Sequence, residues 1–330
     1  MQKTALPFQK SSLGIDLQTL RQSRDSWLLD GEIRQHSKAT LENRRLILEK
    51  LLWFLDEKSY ERCGLAELRQ FLAYLGRSND EGGRWGNPQV TRAALPSTVQ
   101  TYYRHLRTFF AWMVTDDIIE VSPMDNLRTP IARADQIQPF TTKQIDQLLI
   151  AARQSNHAKR DEAIVLFLLD TGVRASELCG IKMGDIDLQS RRCTIHGKGN
   201  KSRSIYFGRG TSKAICQYLK ATTRRQDDFL FVSDRGEDGP EPLTRSGLAQ
   251  IIRRLGRVAE IEATRCSPHT FRHSFSIEFL RAGGIQFALM SLLGHTDLKM
   301  TARYVHLAQA DVEHQHRQFS PVDRLKGRAR

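Results

Sequence analysis

The sequence predicts a mainly α-helical protein with a small β-hairpin or sheet, organised as two domains. A chain of 330 residues is long enough to bury two separate apolar cores. Apolar residues recur at helical spacing through most of the chain, and β-prone runs are confined to residues 192–207 and 229–233. The non-helical stretch 121–138, which contains two prolines, marks a break between the domains. The predicted segments are an extension at 1–11, a first domain at 12–122, a linker at 123–138, a second domain at 139–310 and a tail at 311–330.

The first domain has a helical pattern from about Ser12 to Asp117. Its clearest helix begins after Pro96, where apolar and aromatic residues trace one broad face that can pack on a core. The opposite side of this helix carries Arg104 and Arg107, which can either contact a phosphate or simply face solvent.

A loop is predicted at Gly76–Ala94, because this stretch is rich in glycine, asparagine and proline. Trp85 is conspicuous among these polar residues. Its ring can anchor the loop on the apolar core or contact a nucleic acid, and we favour the anchor.

The second domain opens with the sequence Thr141-x-x-Gln144, which is typical of a capping box at a helix start. A mostly buried helix is predicted at Ala158–Asp170, and Gly172 suits the position that ends it. The turn that follows places Arg174 at the start of the next helix.

Two carboxylates, Asp185 and Asp187, have the spacing of a strand entry. Metal ligation in a nuclease is the alternative, which we disfavour because no further carboxylate cluster lies nearby.

After residue 207, the pattern predicts a helix near Thr211–Thr222, a strand at Phe229–Ser233 and a helix after Thr244.

A hairpin is predicted from two short β-prone runs, Arg192–His196 and Ser202–Phe207, joined by the glycine-rich sequence GKGNK. Its tip presents Lys198, which on its own would be an ordinary solvated turn lysine. Lys201 and Arg203 add positive charge beside it, and we predict that they contact DNA.

Cations and imidazoles are concentrated in Ser267–His306, and such a surface calls for an anion. A Ser-Pro pair at 267–268 predicts a helix start, and a Gly-Gly pair at 283–284 predicts its end. His269 and Arg272, three residues apart, share one stripe of this helix. The side chains of His269 and Arg272 can therefore contact the same ligand group.

A second apolar helix, at 285–293, ends at Gly294 and delivers His295, and Tyr304 follows nine residues later. A lone histidine or tyrosine is more often a core or surface residue than a catalytic one. The combination of H-x-x-R, L-G-H and Y at these spacings is rare by chance.

The net charge of +13 meets the electrostatic criterion for a nucleic-acid binder, and residues 139–330 carry +11 of it. Many basic proteins bind acidic lipid or protein surfaces instead, so charge alone is weak evidence. The longest apolar run, Ala163–Leu169, is too short to span a bilayer, and the first ten residues lack the apolar centre of a signal peptide, so we expect a cytoplasmic protein. Five scattered cysteines without a C-x-x-C pair disfavour a disulfide framework or a structural zinc site.

Six residues in order resemble the catalytic domain of the tyrosine recombinase (phage integrase or Xer-like) family. They are Arg174 in TGVRASEL, Lys198 in HGKGNKSR, His269 and Arg272 in HTFRH, His295 in LLGH and Tyr304 in TARYVH. The resemblance covers about residues 139–310 closely. It extends more loosely to 12–120, which look like the family's helical core-binding (SAM-like) domain, ahead of an α/β catalytic domain.

The resemblance implies site-specific recombination of double-stranded DNA. Tyr304 would attack a phosphodiester and form a 3′-phosphotyrosyl intermediate, and the free 5′-hydroxyl would then attack a partner duplex. A phenol of pKa about 10 needs help to ionise, so His269 is our candidate for taking its proton. Arg174 and Arg272 would stabilise the charge on the phosphate oxygens, and His295 would bond one of them. Lys198 would protonate the leaving 5′ oxygen.

No metal or cofactor is required, since these cations take the place of a metal ion. The family further implies two domains that clamp the DNA from opposite faces, a homotetramer acting on two duplexes, and a tail that docks into a neighbouring protomer. The loop at 76–94 is longer than in the simple bacterial chromosome-dimer resolvases, and we expect no added arm-binding module before residue 12. Integration, excision and resolution, on a mobile element or a chromosome, all remain open.

Three other functions fit parts of the pattern. A type IB topoisomerase-like enzyme would use the same chemistry without exchanging partners, but HTFRH and LLGH are recombinase-like. A non-catalytic DNA-binding regulator would not need Tyr304 or Arg174. His269 and His273, four residues apart on one helix, suit zinc, but no E-x-x-H context or nearby third ligand accompanies them.

Overall fold

Two compact units divide the chain, the first assigned to Met1–Asp135 and the second to Gln136–Arg330. The computed structural model of the protein describes residues 14–79, 83–132, 138–197, 202–220, 224–236, 239–295, 297, 301–302, 304–305, 316, 320 and 322. Each unit has its own buried apolar cluster. Helices dominate both units and the sheets are small, which confirms the predicted fold class.

The first unit contains four helices among its described residues: α1 (Leu17–Ile33), α2 (Lys38–Glu57), α3 (Leu65–Leu75) and α4 (Pro96–Thr115). Strands β1 (Ile15–Asp16) and β2 (Arg62–Cys63) pair antiparallel beside them. The side chains of Asp16 and Ser37 accept hydrogen bonds from backbone amides in the first turns of α1 and α2. Local capping chemistry therefore sets where these helices begin.

The first part of the predicted linker packs on the first unit. Met124 is fully buried in that unit's core, and the Tyr103 hydroxyl donates to the Leu127 carbonyl at 2.8 Å. The boundary between the two units falls at residues 135 and 136, inside the predicted linker. The roles predicted for the two domains stay predictions.

Trp85 anchors the loop between α3 and α4, as we favoured. Its ring lies 5.6 Å from Trp53, 5.5 Å from Tyr74 and 6.1 Å from Phe71, measured between ring centroids. Its backbone has a φ of +65°, a conformation that a non-glycine residue adopts only at a cost. The aromatic contacts offset that cost and hold the loop against the core.

Replacing Trp85 by alanine should lower the free energy of unfolding of the first unit by about 2 kcal/mol or more, because a large packed ring is lost. Urea unfolding followed by tryptophan fluorescence and circular dichroism measures this loss. DNA affinity of the protein that remains folded should be nearly unchanged. Full stability together with weakened DNA binding would instead favour the nucleic-acid contact.

The second unit is built from seven further helices among its described residues. They are α5 (Thr142–Arg153), α6 (Ala158–Thr171), α7 (Ala175–Gly180), α8 (Arg209–Leu219), α9 (Arg245–Val258), α10 (Pro268–Arg281) and α11 (Gln286–Leu293). Its strands are β3 (Ile186–Asp187), β4 (Arg192–His196), β5 (Ser202–Tyr206), β6 (Val232–Gly236) and β7 (Gly239–Pro242). Strands β3, β4 and β5 form an antiparallel sheet in that order, and β6 pairs with β7.

The predicted hairpin is confirmed, with His196 opposite Ser202 at the end next to the connecting loop and Arg192 opposite Tyr206 at its open end. The predicted strand at Phe229–Ser233 is only partly correct, because β6 begins at Val232. The residues just before it pair with the chain after α7 instead, where the Leu230 amide donates to the Ile181 carbonyl at 2.8 Å.

Three predicted helix boundaries around the second core are confirmed, whereas the helix predicted near Thr211–Thr222 runs from Arg209 to Leu219. The hydroxyl of Thr141 and the side-chain amide of Gln144 cap each other's backbone N–H groups at the start of α5. Gly172 ends α6 with a φ of +59° and lies so close to the Phe275 ring that a side chain would clash. Ser267 caps α10, and the Phe271 ring packs 4.9 Å from Phe140.

No helix in the part of the chain that the structure describes is both long and apolar enough to cross a membrane.

Candidate active site

Arg174 lies where two helix ends meet. It occupies the residue before α7, with extended backbone angles, and its backbone N–H donates to Glu177 Oε2 at 2.8 Å. Its guanidinium Nη1 donates to Glu177 Oε1 at 2.9 Å and to the Leu293 carbonyl at the end of α11 at 3.3 Å. The side chain is still 36% exposed, so the guanidinium can also reach an anion.

Arg272 is buried in the first turns of α10 and ties three elements together. Its Nη1 donates to the Gly172 carbonyl at 2.8 Å, and its Nη2 donates to the Leu293 carbonyl at 2.9 Å. Both carbonyls belong to helix C-termini, where the partial charge is negative. Because Arg174 donates to the same Leu293 carbonyl, the two guanidinium groups lie side by side.

His295 supports Arg272 from the other side. Its Nε2 lies 2.8 Å from Arg272 Nη2, and its Nδ1 lies 2.8 Å from the Thr301 hydroxyl. A guanidinium can only donate, so Nε2 must accept and the ring proton must sit on Nδ1. Burial, followed by the charges of Arg272 and Arg174, lowers the pKa of His295 to about 4, which keeps the ring neutral at pH 7. Both ring nitrogens are therefore occupied by protein groups in this arrangement.

Tyr304 is 4% exposed and packs with the apolar side chains of α10 and α11. Its hydroxyl lies 2.9 Å from Nδ1 of His273, and its ring stacks on His295 with centroids 6.5 Å apart. The sequence alone suggests His273 only as a zinc ligand. The signal that could have identified it is its position directly after Arg272, on the same stripe of α10 as His269.

His269 lies beside His273 on α10. It is exposed, and its centroid stands 6.4 Å from that of His273 in a near-parallel arrangement. Partial burial, followed by the charges of Arg272, Arg174 and Arg265, lowers the pKa of His269. The structure thus places the His273 ring in contact with both His269 and Tyr304.

Glu177 is the carboxylate that holds the cations in place. Arg203 reaches it from β5 with two hydrogen bonds of 2.9 and 2.8 Å and also donates through Nε to the Leu292 carbonyl at 2.7 Å. Burial raises the pKa of Glu177, but the hydrogen bonds from Arg203 and Arg174 outweigh it and bring that pKa down to about 2. Arg203 is only 16% exposed, so this geometry favours a supporting role over the predicted DNA contact.

Changing Glu177 to glutamine should destabilise the second unit by about 3 kcal/mol at pH 7, because buried Arg203 loses its counter-charge. A carboxylate whose pKa is lowered on folding stabilises the fold above its ordinary pKa of 4.5, and the gain disappears as the pH falls towards about 2. The difference in unfolding free energy between wild type and variant should therefore shrink between those pH values. Urea unfolding at pH 7 and at pH 3 measures it.

The matched control for that substitution is Glu278→Gln on α10. Glu278 forms an exposed pair with Arg281, and such pairs contribute about 0–1 kcal/mol. If Glu177→Gln lowers the free energy of unfolding by the same amount at pH 7 and at pH 3, the stability does not come from the charge of this carboxylate.

The remaining predicted site residues are Lys198, Lys201, Arg104 and Arg107. Lys198 and Lys201 lie outside the described residues. Arg104 and Arg107 are exposed on α4 in the first unit, and Arg104 donates to the Gln100 side chain at 2.7 Å. Their contacts with DNA stay predictions.

The metal-site alternatives find little support in the geometry. Asp187 accepts hydrogen bonds from the backbone N–H groups of Gln189 and Ser190. Asp185 accepts one from the backbone N–H of Lys182 and lies within hydrogen-bond distance of the His196 ring. Both carboxylates thus close local turns. Among the described residues, no three histidine, cysteine or acidic side chains are grouped so that they could hold a metal ion.

Residues 138–311 match the phage integrase family. The chain is 30% identical over 293 residues to the tyrosine recombinase XerD of Listeria innocua serovar 6a, covering 84% of this chain and 96% of the relative. It is also 30% identical over 281 residues to the tyrosine recombinase XerC of Staphylococcus epidermidis, covering 83% and 88%.

Two solved structures share the fold. One is the Tn1549 transposon integrase in complex with a circular intermediate DNA, with a TM-score of 0.66 and 20% identity over 88% of this chain and 95% of that one. The other is the XerH recombinase bound to a palindromic difH substrate, with a TM-score of 0.63 and 17% identity over 95% and 91%.

Proposed function

The chain belongs to the phage integrase family and is a tyrosine-type site-specific recombinase, and we propose that it cleaves and rejoins DNA through a 3′-phosphotyrosyl intermediate at Tyr304. One observation carries the proposal. The Tyr304 phenol packs against His295, which accepts a hydrogen bond from Arg272, and Arg272 shares a carbonyl with the partly exposed Arg174. The proposed nucleophile and two arginines that could bind its phosphate target therefore lie in one cluster.

Arg174 and Arg272 can stabilise the negative charge that builds on the phosphate oxygens during attack. The hydrogen bonds of Arg272 to two helix ends fix its guanidinium before DNA binds, so little reorganisation is needed. Tyr304 is 4% exposed. The side chains packed around it therefore have to move before its hydroxyl can reach the phosphorus of a bound DNA strand. Lys198 remains the candidate for protonating the departing 5′ oxygen.

The reaction conserves the energy of the broken bond. The Tyr304 oxygen forms a bond to phosphorus as the bond from phosphorus to the 5′ oxygen breaks, and the 5′ oxygen takes up a proton. In the reverse direction, a 5′-hydroxyl from a partner duplex attacks the phosphotyrosine and releases the phenol. Strand exchange between two sites therefore needs no nucleotide cofactor. Integration, excision and resolution are alternative outcomes of this same step.

We expect the active assembly to be four protomers on two duplexes, with the segment after Tyr304 docking into a neighbouring protomer. The fold's similarity to recombinases solved on circular intermediate DNA and on difH DNA supports a duplex recombination site as the substrate. Mass photometry of the protein with one and with two site-containing duplexes measures the stoichiometry.

Trapping the covalent adduct tests the proposed intermediate. Sequencing the DNA that remains attached to the protein after denaturation identifies the site, which is then rebuilt with a nick so that the cleaved fragment is lost. We expect mass spectrometry to find the 3′ phosphate on Tyr304. Attachment at another residue, or no adduct on a duplex that the protein binds specifically, would overturn the proposal. Relaxation of plasmids that lack the site would favour topoisomerase activity instead.

A further inference from the structure

The Tyr304 hydroxyl contacts an imidazole that the six-residue resemblance does not include. Nδ1 of His273 lies 2.9 Å from this oxygen, and the two rings are 5.5 Å apart between centroids. His273 sits one residue after Arg272 on α10, so its backbone is fixed by the same helix that fixes the cation. In the tautomer that carries its proton on Nε2, Nδ1 is an acceptor within hydrogen-bond distance of the proton that must leave the nucleophile.

The other two imidazoles near the phenol are less suited to take that proton. His295 uses Nε2 to accept from Arg272 and Nδ1 to donate to Thr301, and its pKa is lowered to about 4. Protonating it would break the bond to Arg272. His269 stacks on His273 at 6.4 Å between centroids and is exposed to solvent, whereas the 2.9 Å contact to the phenol is made by His273.

We propose that His273 is a catalytic residue whose Nδ1 accepts the phenolic proton when Tyr304 attacks DNA, an inference that rests on the proposed function. As the bond between the Tyr304 oxygen and phosphorus forms, the proton moves to Nδ1 and His273 becomes an imidazolium. The bond from phosphorus to the 5′ oxygen breaks at the same time, and the 5′ oxygen is protonated by another group. On rejoining, His273 returns the proton to the phenol.

The charges around the pair favour this transfer. Arg272 lies close enough to Tyr304 that a phenolate would raise the pKa of Arg272, and by reciprocity the cation stabilises the phenolate. The other titratable rings facing the pair among the described residues are His269 on α10 and His295 after α11. The pKa of each is lowered, so neither adds a competing positive charge near neutral pH.

Two substitutions separate proton uptake from positioning. His273→Ala removes both functions, whereas His273→Asn places an amide oxygen near the position of Nδ1, which can accept a hydrogen bond but cannot take up a proton at neutral pH. We expect both variants to bind the site normally and to form the covalent adduct about 10²–10⁴ times more slowly at pH 7 in single-turnover assays. The deficit should narrow as the pH approaches about 10, where a phenol ionises unaided.

His157→Ala, at the start of α6, is the matched control and should react at the wild-type rate. Thermal melts establish that each variant is folded. Restoration of the wild-type rate by asparagine would show that His273 only positions the phenol, and a deficit that is the same at every pH would also overturn proton uptake. If His269→Ala slows adduct formation in a pH-dependent way and His273→Ala does not, the proton acceptor is His269 and not His273. Absence of any adduct from the wild-type protein would instead refute the proposed function itself.

Discussion

The Tyr304→Phe variant should form no covalent protein–DNA adduct, while its affinity for the recombination site changes by less than about twofold. The substitution removes one oxygen and keeps the ring that packs against His295 and the apolar side chains of α10. Without that oxygen no other group occupies the nucleophile's position. Affinity for duplex DNA depends mainly on phosphate contacts with cations, which this change leaves in place.

Denaturing gel electrophoresis of a labelled, nicked substrate measures the adduct, and a filter-binding or fluorescence-anisotropy titration at fixed salt measures affinity. Tyr206→Phe is a suitable control, because Tyr206 is 60% exposed at the end of β5 and its loss of a hydroxyl should leave both quantities unchanged. Residual adduct in the Tyr304 variant would point to another nucleophile. A large loss of affinity would show that the phenol helps to bind the site.

The parts of the fold that the sequence predicted correctly depend on local chemistry. Thr141 with Gln144, and Ser267 with Pro268, define helix starts because capping groups act within three residues of themselves. Gly294, like Gly172, ends its helix with a positive φ, which glycine adopts without steric cost. Such signals are legible from a few neighbouring residues, and the boundaries they predict agree with the structure.

The parts of the site that were missed depend on residues distant in the chain. Helical spacing places His269 and His273 on one stripe of α10, but which of them meets the phenol depends on the position of Tyr304, 31 residues after His273. Arg203 is predicted to contact DNA because it lies in a basic hairpin, and its pairing with Glu177 could not be predicted from the sequence. Its partner Glu177 is 26 residues upstream, and only the packing of β5 beside α7 and α11 brings them together.

The second large effect is expected for Arg272→Lys, which should slow formation of the covalent adduct by at least about 10²–10³. The guanidinium donates to Gly172, Leu293 and His295 in one fixed fork, and a single ammonium cannot satisfy all three in that geometry. Burial, followed by the charge of Arg174, lowers the pKa of Arg272 to about 10, so the native side chain stays charged at pH 7. A lysine begins about two units lower and would lie much closer to losing its charge.

Arg272→Lys should therefore lower the rate of adduct formation at saturating DNA and not only the affinity for DNA. The guanidinium charge is needed most in the transition state, in which phosphorus has five oxygen neighbours. Arg281→Lys on the same helix is the control, since Arg281 is 50% exposed and bonds only to Glu278 among the described residues. Single-turnover rates together with urea unfolding separate the two effects, because His295 loses a donor in the Arg272 variant and some stability should be lost with it. A rate within tenfold of wild type would mean that position 272 supplies only positive charge and not the planar fork that the structure shows.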